Sequence, residues 1–225
     1  MGWMVVLGFF RVLYRLRMRG RDRVPRAGAL IYVVNHQSHF DPPLVGVTVN
    51  DRPCAFLARA SLFEWKPFAW LIRSLNAIPL ERERGGREAL RSAIGVLEQG
   101  RCVLLFPEGT RTRDGSLGRF KRGFLLLARK TGATVVPVAI EGAHDVWARG
   151  RSRPHMFGRI MTMVGEPIEA EELLAGGDDA AVERVRRAIE GMRLVLREAL
   201  RRRTKGRVPK EGAGDVAYWE REGAV

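Results

Sequence analysis

The chain has 225 residues, 46% apolar and 28% charged, enough for one ordinary packed domain and too apolar for a disordered polyelectrolyte. Its two cysteines, Cys54 and Cys102, lie far apart in apolar runs; they exclude a disulfide-stapled scaffold and a four-cysteine zinc module, and read as small buried hydrophobes. The net charge is +14, and only five of the 39 basic residues are lysine, which points to a partner carrying phosphate or anionic lipid.

Residues 1–10 are apolar without a break, and Arg11, Arg15 and Arg19 follow at four-residue spacing. On a helix the three arginines form one stripe, and Trp3, Val6, Leu7, Phe10, Leu13 and Tyr14 form the opposite face. Ten apolar residues fall short of the roughly 20 that cross a bilayer, and the charge follows the apolar run, where a secretory signal has it first. The expectation is an amphipathic helix lying at a membrane interface; a helix packed on its own domain or on a partner is the alternative. Seven arginines against Asp22 within residues 1–26 favour an anionic leaflet.

From Ala29 onward short apolar runs alternate with helical stretches. Strands are predicted over 29–34, 55–58, 102–106, 134–140 and 159–164. Helices are predicted over 42–50, 66–74, 86–98, 123–131 and 180–203, with Gly100 as the stop of the third. The fold class is α/β: a mostly parallel central sheet flanked by helices and covered on both faces, preceded by the membrane-associated helix. Residues 1–26 form the interfacial helix, 27–203 the α/β domain, and 204–225, rich in Gly, Pro, Lys and Glu, a flexible tail.

Two loops carry chemistry. The strand ending at Val34 runs into Asn35-His36-Gln37-Ser38-His39-Phe40-Asp41-Pro42, at the strand end where open α/β sheets place their sites. If the turn folds back, Asp41 holds one imidazole nitrogen of His36 protonated and frees the other to take a proton from a hydroxyl. Asp41 could instead merely cap the helix that Pro42 opens, and His36, His39 and Asp41 could ligate a metal, although nothing elsewhere completes a shell. The strand ending at Phe106 delivers Pro107-Glu108-Gly109-Thr110-Arg111, with Lys121 nearby, a group suited to phosphate: Gly109 admits backbone amides and Arg111 offers a fork. A solvated charged turn is the plain alternative, and the pattern of an ATP-type P-loop is absent. Between the loops, Ile78-Pro79-Leu80 closes on Glu81-Arg82.

Together these segments resemble the glycerolipid acyltransferase family that includes 1-acylglycerol-3-phosphate acyltransferase. Asn35-His36 through Asp41 match its N-H-x-x-x-x-D block, Glu81-Arg82 the end of its second block, Phe106 through Arg111 its F-P-E-G-T-R block, and Val136-Pro137-Val138-Ala139-Ile140 its V-P-V-x-I block. The resemblance implies that His36 is the general base and Asp41 its orienting partner. It likewise implies that Arg82, Glu108, Gly109, Thr110, Arg111 and Lys121 hold the acceptor's phosphate. It implies acyl transfer from a thioester to lysophosphatidic acid, giving phosphatidic acid, with no cofactor, no metal and no acylated enzyme. Acyl-CoA or acyl carrier protein would be the co-substrate, and the setting the cytoplasmic face of the cell membrane, peripheral or monotopic. Another lysolipid or an aminolipid is the alternative acceptor. A basic non-catalytic membrane- or nucleic-acid-binding protein is the reading from another class, and no specific nucleic-acid recognition motif supports it.

Overall fold

A computed structural model describes residues 2–49, 52, 54–59, 64, 77–80 and 85–222. The helix predicted over 66–74 and the Glu81-Arg82 pair lie outside the described residues. Eight helices are described: α1 (Gly2–Tyr14), α2 (Asp41–Thr48), α3 (Gly85–Glu98), α4 (Gly123–Thr131), α5 (Ala143–Val146), α6 (Ala170–Leu174), α7 (Gly177–Thr204) and α8 (Tyr218–Glu222). The described strands are β1 (Arg17–Arg19), β2 (Leu30–Val34), β3 (Cys54–Arg59), β4 (Ala77–Leu80), β5 (Cys102–Leu105), β6 (Thr134–Glu141) and β7 (Met161–Val164). They form one sheet in the order β1-β7-β6-β2-β5-β3-β4, in which only the β6–β7 pairing is antiparallel.

The central strand β2 is buried along its whole length, and its side chains divide by parity. Leu30, Tyr32 and Val34 join Cys54, Cys102, Val136 and Val138 on the face covered by α1 and α2. Ile31 and Val33 join Ala55, Val103 and Val135 on the face covered by α3, α4 and α7. This is the doubly covered sheet that near-continuous apolar strands require. Cys54 and Cys102 are register partners on β3 and β5, both buried and free.

The basic run after α1 behaves differently from the prediction. The helix ends at Tyr14, Arg15 takes φ 45°, and Arg19 belongs to β1, so Arg11, Arg15 and Arg19 do not make one stripe. A three-residue edge strand with arginine at both ends suits solvent and resists further pairing. The face of α1 expected to meet lipid turns inward instead. Phe10 and Tyr14 are buried, and Trp3, Val6, Leu7 and Leu13 pack against the same core. Trp3 lies on Gly46 of α2, where a Cβ would stand 2.0 Å from its ring, so only glycine allows the contact. The outward face keeps Met4, Val5, Phe9 and Val12, which are 76%, 73%, 42% and 74% exposed, beside exposed Arg11 and Arg15. Among the described residues no helix is long and apolar enough to cross a membrane.

The segment after Thr204, expected as a flexible tail, folds back along α7. Its composition hides two anchors. Asp215 accepts Arg197 Nε at 2.7 Å and Arg201 Nη1 at 2.6 Å, and Tyr218, 2% exposed, lies under the Arg186 guanidinium. The Tyr218 hydroxyl donates to Glu183 at 2.7 Å, and the neighbouring Trp219 packs on the same core.

Beneath that segment runs an ion network. Arg193 is fully buried and reaches Glu190 at 2.7 Å and Glu141, the last residue of β6, at 3.3 Å; Arg197 meets Glu141 at 2.8 Å. Removing one partner strands buried charge, whereas forming such a network adds little net stability. Arg193→Ala should therefore lower the unfolding free energy by about 3–5 kcal/mol, measured by urea titration. A change within error of zero would show that the network is hydrated in solution.

Candidate active site

β2 delivers its loop to the C-terminal edge of the sheet, and Asn35 fixes the exit. Its amide Nδ2 donates to the Ile140 carbonyl at 2.9 Å and its Oδ1 accepts the Ile140 amide at 2.8 Å. The side chain thus replaces the next backbone rung between β2 and β6. The chain turns there, and Asp41 opens α2 with Pro42 behind it.

Asp41 is 0% exposed, and its Oδ2 collects three donors: His36 Nδ1 at 2.7 Å, the Gln37 amide at 2.6 Å and the Ser38 amide at 2.7 Å. A carboxylate oxygen already holding two backbone amides accepts only, so His36 carries its proton on Nδ1 and leaves Nε2 as the basic nitrogen. The imidazole stacks on Phe106 with centroids 4.1 Å apart and remains 20% exposed. The predicted pair is thus in place, and Asp41 is spent on its own loop and the imidazole. His39 turns elsewhere: its ring lies 4.8 Å from Trp147, and burial, with Arg111 and His36 nearby, lowers its pKa. Among the described residues no three His, Cys, Asp or Glu side chains converge as a metal site.

The second loop is bolted to the first. Glu108 accepts the His36 amide on Oε1 at 2.7 Å and the Gly118 amide on Oε2 at 2.9 Å, while the Thr112 amide donates to the His36 carbonyl at 2.8 Å. Both carboxylate oxygens of Glu108 are engaged by backbone. Gly109 takes φ 70°, and a Cβ there would stand 2.8 Å from Lys121 Nζ, so the absent side chain lets the ammonium close over the loop. Thr110, Arg111 and Lys121 line a cavity of about 520 Å³, and Glu108 forms part of its wall. The predicted residues therefore meet, except Arg82, which lies outside the described residues.

Two contributors went unnoticed in the sequence. Arg149, from the stretch after α5, also lines the cavity and donates to the Thr110 hydroxyl at 3.0 Å. Gln37, 1% exposed, donates through Nε2 to Glu141 at 3.1 Å and ties the first loop to the buried ion network. No local motif marks either; the only hint of Arg149 is a run of arginines free of acids between residues 147 and 160.

A family model described as Acyltransferase matches residues 15–141. The chain belongs to this acyltransferase family. The 1-acyl-sn-glycerol-3-phosphate acyltransferase alpha of Bos taurus is 32% identical over 216 residues, covering 94% of this chain and 70% of that protein. The chloroplastic 1-acyl-sn-glycerol-3-phosphate acyltransferase of Arabidopsis thaliana is 28% identical over 162 residues, covering 71% of this chain and 45% of that one. The chain thus spans just under half the length of that plant relative. The crystal structure of the 1-acyl-sn-glycerophosphate acyltransferase PlsC from Thermotoga maritima superposes with a TM-score of 0.69 at 33% identity, covering 85% of this chain and 76% of that chain.

Burial pushes the Glu108 carboxyl from its ordinary 4.5 up to about 7, against the pull of the His36 and Gly118 amides. Between those values the folded protein holds more protons than the unfolded chain, so the stability due to this group falls as pH rises from about 4.5 to about 7. Glu108→Gln should flatten that slope. It should also cost about 1–3 kcal/mol at pH 8, because an amide has one acceptor for two donors. Denaturant titrations of both proteins across pH check this; parallel pH slopes would contradict it.

Proposed function

We propose that this acyltransferase moves a fatty acyl group from an acyl thioester to the free hydroxyl of 1-acylglycerol-3-phosphate, forming phosphatidic acid. The observation that carries the reading is the His36–Asp41 pair, bonded at 2.7 Å and joined through Glu108 to the wall of a cationic cavity. The names of the similar proteins agree with it.

In this mechanism the acceptor's phosphate sits against Arg111 and Lys121, with Thr110 as a hydrogen-bond donor and Arg82 as a further cation. Two guanidinium groups and an ammonium complement a phosphate dianion. Glu108, engaged by two backbone amides, holds the loops and does not touch the ligand. His36 Nε2 takes the proton of the glycerol hydroxyl as its oxygen attacks the thioester carbonyl. Asp41 stabilises the imidazolium that forms. Collapse of the tetrahedral intermediate breaks the C–S bond, and the imidazolium returns the proton to the departing sulfur. Products are an ester and a free thiol.

No acyl-enzyme is needed. Both cysteines are buried, and burial pushes the Cys54 thiol up to about 12, which leaves it a poor nucleophile at neutral pH. The donor is acyl-CoA or acyl carrier protein. The acceptor lies in an anionic membrane that the protein meets from the cytoplasmic side, using the outward face of α1 and its arginines. Supporting that setting are the exposed Met4, Val5 and Val12 and the absence of Asp and Glu from residues 1–20.

Chromatography of labelled products with lysophosphatidate and each donor type is the test. The wild type should form phosphatidic acid, and His36→Ala should lose about 10²–10⁴ in kcat while retaining the acceptor. Asp41→Asn should lose comparably, since an amide at that position presents the wrong hydrogen-bonding pattern to Nδ1. Failure of the folded protein to acylate lysophosphatidate or any other lysolipid or aminolipid would overturn the proposal.

A further inference from the structure

Between α5 and β7 the chain runs from Trp147 to Ile160 without helix or strand and exposes two large apolar side chains. Met156 is 71% and Phe157 67% exposed. Such side chains on a loose loop would fold back over nearby apolar surface. Here the backbone on either side of them is pinned. The Tyr14 hydroxyl donates to the His155 carbonyl at 3.1 Å, the His155 amide donates to the Val146 carbonyl at 2.9 Å, and the Gly158 amide donates to the Leu13 carbonyl at 3.2 Å. Two residues on, the Ile160 amide donates to the Tyr14 carbonyl at 3.0 Å. Met156 and Phe157 are therefore displayed on a fixed tip fastened to the last turn of α1. That helix carries its own outward row of Met4, Val5, Phe9 and Val12.

The charged side chains of the loop and of the first 20 residues have one sign. Arg149, Arg151 and Arg153 are exposed, as are Arg11 and Arg15 of the adjoining helix segment, and no Asp or Glu occurs in residues 1–20 or 147–160. Apolar side chains flanked in the chain by arginine and by no acid match a surface with anionic headgroups outside and hydrocarbon beneath. An acidic protein would satisfy the arginines and leave Met156 and Phe157 in water.

We infer that the 147–160 loop is a second membrane-docking element, which inserts Met156 and Phe157 into an anionic bilayer beside α1. This rests on reading α1 as lipid-facing and adds a contact that α1 alone does not make. It also gives the cavity an orientation. Trp147 lies 5.0 Å from Phe40 and 4.8 Å from His39 in the catalytic loop, and Arg149 reaches Thr110 in the cavity. A bilayer touching the tip is thus one short loop away from where an acceptor's phosphate would be held. The acceptor passes sideways from leaflet to site without crossing water.

The test uses the full chain and vesicle flotation with phosphatidylglycerol–phosphatidylcholine or phosphatidylcholine alone. Met156→Ser with Phe157→Ser, both at exposed positions, should keep the wild-type circular dichroism and thermal midpoint. The pair should lower partitioning onto anionic vesicles by about tenfold or more. Arg151→Gln with Arg153→Gln should weaken binding to anionic vesicles only. Acylation of a water-soluble short-chain acceptor should be unchanged in the Ser pair, while acylation of vesicle-embedded acceptor falls. Wild-type protein that ignores anionic vesicles would remove this inference together with the lipid-facing reading of α1. Wild-type binding that the Ser pair leaves intact would remove this inference alone. So would a dimer in vesicle-free solution that the pair dissolves, or loss of an acidic carrier protein with vesicle binding preserved.

Discussion

One buried carboxylate oxygen organises the C-terminal edge of this sheet. Oδ2 of Asp41 gathers two backbone amides and an imidazole N–H, so the same atom shapes the turn and sets the tautomer of His36. The fold must supply three things for this: a strand that ends at Asn35, a helix that begins at Asp41, and a neighbouring loop that grips the His36 backbone from the other side. The Asn35–Ile140 amide pair provides the first, Pro42 and Pro43 at the helix start the second, and Glu108 the third. Two loops far apart in sequence become one rigid edge because β2 and β5 are neighbours in the sheet.

Much of this was legible beforehand. The five predicted strands appear because buried parallel strands are continuous apolar runs, and that signal is strong for 30–34, 102–105 and 134–141. The spacing of His36 and Asp41 allowed their pairing without requiring it, and the resemblance of the surrounding block singled it out; the 2.7 Å contact is there. β1 and β4 were not read. Arg17-Met18-Arg19 carries no apolar run, and its place is decided by pairing with β7, a tertiary effect with no local mark. The inward face of α1 was recognised as a face but assigned to lipid, since periodicity reports that a stripe is buried and not what buries it.

The remaining errors share a cause. The segment after Thr204 looked solvated because its composition is polar, yet Asp215 and Tyr218 suffice to bind it, and both act through arginines of α7. Gln37 and Arg149 were silent because their partners, Glu141 and Thr110, stand 104 and 39 residues away. Long-range polar pairs leave no pattern within a window of sequence. Glu108 was placed with the phosphate ligands by the resemblance of its block; both of its oxygens lie on backbone amides.

The buried ion chain also bears on how the protein is made. Gln37 leans on Glu141, Glu141 on Arg197, and Arg197 on Asp215. A ribosome releases the histidine loop early and the aspartate that completes its support some 180 residues later. Until then Glu141 and Arg197 lack a finished neighbourhood, and the loop above them lacks a firm floor. The floor of the histidine loop is therefore complete only once the segment carrying Asp215 has folded back along α7.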